Sequence, residues 1–215
     1  MGNTTKLYKL TNKNGQTYNN TQWGEGVTHT APGTGKLCTA GWLHAYTDPY
    51  IAVLLNPVHA NFVHPQLWEA EGEVGITEYD LKVGCTTLTT LRTIPLPILT
   101  TEQRVHIAVR CALEVYHEPT FVVWANNWIS GEDRSRETAQ ATQAAEAAAW
   151  ATKAAAWVAP EAAARAAARA AVWAATQAAT QAAYAAAESA VQAVPTAQGN
   201  SILRNIIYSV VHPGA

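Results

Sequence analysis

The densest run of chemically capable residues in this 215-residue chain is Leu37-Cys38-Thr39-Ala40-Gly41-Trp42-Leu43-His44-Ala45-Tyr46-Thr47-Asp48-Pro49. Trp42, His44 and Tyr46 alternate, so an extended backbone places all three on one face. With Trp23, His29 and Trp68 nearby in sequence, they could line an aromatic pocket for a planar ligand. The competing reading of each residue is ordinary core packing around a hydrogen-bonded histidine. Just upstream, Gly33, Gly35 and Lys36 combine glycine-rich backbone with a cation, a composition able to form an anion nest. The expected ligand-binding set is therefore Trp23, His29, Gly33, Gly35, Lys36, Trp42, His44 and Tyr46. A purine would stack on Trp42 or Trp23, and backbone amides of Gly33–Gly35 would take a phosphate.

Other chemistries fit poorly. Ala31-Pro32-Gly33-Thr34-Gly35-Lys36-Leu37 superficially matches a Walker A loop, but Thr30 stands where glycine is required and Leu37 where serine or threonine is required. His44, His59 and His64 have fourteen and four residues between them, without a cysteine pair, so no metal site is expected. Glu69, Glu71 and Glu73 alternate as a solvated strand face would, and their mutual repulsion opposes joint burial. No Ser/His/Asp or Cys/His triad has a diagnostic local pattern, so no catalytic residue is assigned and no cofactor is expected. Cys38, Cys85 and Cys111 are odd in number and lack CxxC spacing, which suits reduced thiols and a cytoplasmic location. The start MGNTTKLYKL has no apolar core of a secretory signal, and no run is apolar enough to span a membrane. A formal net charge of −2 argues against a nucleic-acid binder.

The elements that must position these residues read as α+β. A compact domain is expected over 1–130, a small sheet with covering helices. Asn14-Gly15 predicts a hairpin turn between Lys6–Thr11 and Gln16–Tyr18. Asp48-Pro49 predicts a capped short helix ending before Pro57, and Leu67–Val74 and Leu81–Ile94 read as strands. Thr100 and Thr101 with Gln103 open a helix with Val105, Ala108, Val109, Ala112 and Tyr116 on one face, stopped by Pro119.

Residues 131–194 form an alanine-rich segment. Larger residues such as Gln143, Glu146, Trp150, Lys153, Trp157, Glu161, Arg165, Arg169 and Trp173 recur every three or four positions, the spacing of one helix face. Pro160 divides the tract into two long helices, 136–158 and 160–194. Their methyl-lined surfaces would allow close helix packing, so self-association through this tract is expected, most simply as a symmetric dimer. Residues 195–215 hold a linker and an amphipathic helix over 200–212. Its stripe of Ile202, Leu203, Ile206, Ile207, Val210 and Val211 should dock on the first domain or on another subunit.

The order LYK, then K-L-C-T-A-G-W-L-H-A-Y-T-D-P, W-E-A-E-G-E, and Trp128-Ile129-Ser130-Gly131-Glu132-Asp133-Arg134 ahead of an alanine-rich tract resembles an uncharacterised phage and bacterial domain family. The pattern departs where Trp42-Leu43 replaces the single aromatic before His44. The resemblance implies a phage or prophage accessory gene and brings no catalytic residues. Joined to the aromatic cluster, it leads to an expected function. This is a non-enzymatic binding protein, a phage sponge that sequesters a host nucleotide immune signal in the host cytoplasm, with no membrane or nucleic-acid partner. The alternatives are a nucleotide-processing or ADP-ribosyltransferase-like enzyme using His44 and Tyr46, and a purely structural oligomerisation protein.

Overall fold

A computed structural model describes residues 4–78, 82–114, 116–141 and 196–213. It is mixed α+β, with a five-stranded antiparallel sheet and helices. The chain divides into two compact units, Met1–Ile98 and Leu99–Ala215.

The first unit contains β1 (Thr5–Thr11), β2 (Thr28–Thr30), β3 (Leu43–Tyr46), α1 (Pro49–His59), β4 (Gln66–Glu78) and β5 (Lys82–Ile94). β1 pairs with β3 on one edge and β4 on the other, while β5 pairs with β4 along its length. The opposite edge of β5 takes β3 beside residues 82–85 and β2 beside residues 87–89. The pairings β1–β4–β5–β3–β1 thus close a ring. The register of the β4–β5 hairpin shifts between Glu69 and Ala70, between Glu73 and Val74, and between Val74 and Ile76. Such bulges bend a strand and increase its twist, which lets so few strands curl into a barrel.

Alternation along β1 sends Leu7, Lys9 and Thr11 to one face, all buried. Leu7, Trp23, Ala45, Ala70, Val83, Cys85 and Leu88 form the barrel core. α1 packs on β1 and β3 and buries Ile51, Ala52, Leu54 and Leu55. The Asp48 carboxylate caps this helix by accepting from the Tyr50 and Ile51 amides, with Pro49 in its first turn.

Two local expectations are corrected. Asn12–Gly15 does turn, with Gly15 at φ +75°, but β1 pairs with β3 and β4 rather than with Gln16–Tyr18. Gln16 makes only an isolated bridge to Gln22. A long-range partner offering a whole buried face outcompetes the local hairpin. α1 also runs through Pro57 to His59, because its buried face outweighs one missing hydrogen bond.

The second unit contains α2 (Thr101–Leu113), α3 (Pro119–Ser130), helical residues 136–141 and α4 (Thr196–Val211). The boundary at Leu99 groups α2 and α3 with the C-terminal unit. α2 has the expected capping box: the Gln103 amide donates to Thr100 Oγ1 at 3.1 Å and the Thr100 amide to Gln103 Oε1 at 2.9 Å. Pro119 ends one stretch by opening α3, which the sequence reading did not anticipate. α4 packs on α2 and buries Leu203, Ile206, Ile207 and Val210, so the apolar stripe is covered within this chain. The helices expected over 136–158 and 160–194, with their bend at Pro160, lie outside the described residues beyond 141.

The Trp128–Arg134 motif is a structural corner. Gly131 ends α3 in the left-handed conformation at φ +81°. Arg134 folds back so that its guanidinium lies 4.7 Å from the Trp128 ring centroid and donates to the Trp128 carbonyl at 2.9 Å. It also pairs with Glu102 on α2. Ser135 then caps the next helical turn by accepting from the Thr138 amide.

Candidate functional site

The sheet brings His44 and Tyr46 of β3, His59 at the end of α1 and Lys82 at the start of β5 to one face near Cys38 of the preceding loop, while Lys9 of β1 lies on the core face and reaches the His44 carbonyl from that side. The loop is held by short-range bonds. The Gly33 amide donates to the Gly41 carbonyl at 2.9 Å, and Trp42 Nε1 donates to the Gly35 carbonyl at 3.0 Å. A Cβ on Gly41 would lie 1.8 Å from the Thr34 carbonyl oxygen, so this crossing tolerates no side chain. Trp42 presses its ring on Gly75 of β4, where a Cβ would come within 2.5 Å of Cζ3.

His44 Nε2–H donates to the Leu37 carbonyl, which fixes the backbone next to Cys38. Burial holds the His44 imidazole below its usual pKa, against the Leu37 bond that favours the charged form. Tyr46 Oη and His59 Nδ1 are hydrogen-bonded at 3.3 Å, and the two rings stack at 5.9 Å with planes 10° apart. Burial, then the charge of Lys82 and then His44, lowers His59 to about 4. Burial raises the Tyr46 phenol above its usual range. Two neutral imidazoles and a neutral phenol therefore share the face of Lys82 near pH 7.

Lys9 is 7 % exposed; its ammonium donates to the His44 carbonyl at 2.6 Å and lies 4.9 Å from the Trp23 ring centroid. Desolvation lowers it to about 8, reinforced by Lys82 and opposed by Cys85. Lys82 is 6 % exposed and donates to Cys38 Sγ at 3.3 Å. Among the described residues neither lysine has a carboxylate partner. Buried ammonium groups normally come paired, because desolvating a lone charge is costly. The site can therefore attract an anion, and it also presents an accessible thiol at Cys38.

The expected binding residues divide into three groups. His44 and Tyr46 belong to this cluster. Trp42 lies half-buried at its edge and Lys36 is exposed on the same loop. Trp23, 2 % exposed, is a core side chain already occupied by Lys9, by His29 in an edge contact at 4.6 Å and by a bond to Thr17. His29 Nε2 donates to the Gln22 carbonyl. Gly33 and Gly35 have φ +74° and +85°, but the Gly33 amide is spent inside the loop. The sequence reading missed Lys9, Cys38, His59 and Lys82 as a group; the signal was a lysine at an inward β1 position between Leu7 and Thr11. Among the described residues no group of three metal-ligating side chains occurs, and no helix is long and apolar enough to cross a membrane.

Glu69 pairs with Lys6 and, at 2.7 Å, with Arg92, while Glu71 and Glu73 are exposed. The second unit has a recess of about 520 Å³ along α3 lined by Val123, Trp124, Asn127 and Asp133, without the concentration of titratable groups found in the barrel. No protein-family model, no curated protein and no solved structure matches this chain.

Proposed function

We propose that the chain is a non-enzymatic binding protein for a small, phosphate-bearing, nucleotide-like ligand. The anion would sit where Lys82 meets His44 and His59, with Trp42 beside it as a stacking surface. The observation that carries this reading is the buried Lys82 ammonium, beside His44 and His59, without a carboxylate partner among the described residues. A bound phosphate would supply the missing charge and favour protonation of both histidines. Phage origin, drawn from the sequence resemblance, makes the biological role a sponge that sequesters a host nucleotide signal. Self-association through the alanine-rich tract would raise the number of sites per particle.

The enzyme alternative would want a carboxylate beside His44 and Tyr46, and Glu69, Glu71 and Glu73 are all engaged or exposed elsewhere. Calorimetric titration with cyclic nucleotides and ADP-ribose-type compounds, using wild type and Lys82→Ala, tests the proposal. Wild type should bind at least one of them and release it chemically unchanged on chromatography, with affinity reduced tenfold or more in the variant. An altered product would convert the reading to catalysis; absence of binding at millimolar ligand would remove it.

A further inference from the structure

Cys38 and Lys82 form a pair whose chemistry goes beyond ligand binding. Cys38 is exposed, whereas Cys85 and Cys111 are buried, with burial pushing their thiols up to about 11 and about 12. Oxidants therefore reach Cys38 first. Lys82 is 94 % withdrawn from solvent, on the figure of 6 % exposure, yet its ammonium points at the Cys38 sulfur from 3.3 Å. An ammonium carries three donors and thiol sulfur is a weak acceptor. Among the described residues the thiol is the only acceptor of this buried nitrogen, and it is the accessible one of the three cysteines.

The backbone holds the two atoms together. His44 bonds the Leu37 carbonyl on one side of Cys38, and Thr39 Oγ1 donates to the Lys36 carbonyl at 2.7 Å on the other. Lys82 is fixed by strand register opposite Tyr46. Contact is paid for in advance by the fold, which turns an encounter between two side chains into a local reaction.

We propose that Cys38 and Lys82 are the two halves of an oxidant-driven covalent cross-link, a sulfur–nitrogen bond made after a hydroperoxide oxidises the thiol. Hydrogen peroxide first converts the Cys38 thiol to a sulfenic acid and leaves as water. The deprotonated Lys82 nitrogen then attacks sulfur; the S–N bond forms, the S–O bond breaks, and hydroxide departs with the second nitrogen proton as another water. The sum is one thiol, one amine and one peroxide giving one sulfenamide and two waters, a two-electron oxidation of sulfur balanced by reduction of the peroxide. A thiol reductant reverses it.

The test uses the intact protein, without nucleotide, so its result is independent of the binding proposal. The sequence has no lysine or arginine between Lys36 and Lys82, so trypsin places Cys38 and Lys82 in one peptide, 37–82. After brief peroxide treatment the intact mass should fall by about 2 Da. Trypsin should skip Lys82 and yield peptide 37–92 with an internal Cys38–Lys82 link, and dithiothreitol should restore cleavage. Cys38→Ser and Lys82→Arg should both abolish the mass loss, and Cys85→Ser should keep it; circular dichroism verifies that each variant is folded. Oxygen adducts on Cys38 with normal cleavage at Lys82 would overturn the proposal. So would a mass loss that survives Lys82→Arg and disappears in Cys85→Ser, since that describes a disulfide.

Discussion

The Lys9 ammonium lies 4.9 Å from the ring centroid of Trp23, beside the apolar barrel core of Leu7, Ala45, Ala70, Val83, Cys85 and Leu88. A cation so placed weakens the fold it occupies: its contact with the aromatic face and its bond to the His44 carbonyl recover only part of the hydration it gave up.

Lys9→Met should therefore stabilise the barrel. The shift from 10.5 to about 8, at about 1.36 kcal/mol per unit, corresponds to about 3 kcal/mol, less about 1 kcal/mol for the lost hydrogen bond. Because the unfolded chain binds more protons than the folded one between pH 8 and 10.5, Lys9 makes stability rise with pH across that window. Urea unfolding at pH 7 and pH 10 should show the variant about 1–2 kcal/mol more stable at pH 7. Its advantage should shrink at pH 10.

His59 acts in the acid range. Its folded value of about 4 lies below the ordinary 6.5, so protons bind the unfolded chain first and stability falls as pH drops from 6.5 toward 4. Partial exposure of the ring limits the effect to on the order of 1 kcal/mol. Thermal melts of wild type and His59→Gln at pH 7.5 and pH 4.5 check this: the variant should lose less stability between the two.

Ligand binding should itself take up protons. An anion next to His44 and His59 raises the imidazoles that burial now holds down. Affinity should increase as pH is lowered from 8 to 6, and calorimetry in buffers of different ionisation enthalpy should register net proton uptake. A pH-independent affinity would place the phosphate away from these histidines.

Gly75→Ala should displace Trp42, whose ring occupies the space a Cβ would need. Overpacking of this kind costs about 1–3 kcal/mol. A shift of the Trp42 indole N–H resonance, as its bond to the Gly35 carbonyl breaks, should accompany the loss.

Leu203→Ala should destabilise the second unit by about 2–4 kcal/mol. Leu203 is 1 % exposed on the face of α4 that packs on α2. Light scattering should show no change in particle size, because Ile206 and Val210 on the same stripe are also covered within the chain.

Local signals were legible where a few neighbouring residues decide the outcome. Asp48-Pro49 and Thr100 with Gln103 start helices as expected, and the Thr- and Leu-rich stretch up to Ile94 is β5. Long-range competition was not. Nothing near Asn14-Gly15 reveals that Tyr8 will face Tyr46 and Glu69 across two separate strand pairs. His44 and Tyr46 stood out because they alternate in one short run. Lys82 lies well over thirty residues from His44 and joins the cluster only through its register opposite Tyr46, so spacing carries no trace of it.

The ring closed by the β4–β5 hairpin also constrains the order in which the chain acquires structure. β1 is made first, yet its partner in β4 begins at Gln66, and β3 must wait for Lys82–Cys85. Most pairings are therefore non-local, a topology that folds slowly. During synthesis the first strand lacks its long β4 partner until the hairpin has emerged, and a nascent chain halted before Ile94 would hold half a barrel with open, adhesive edges.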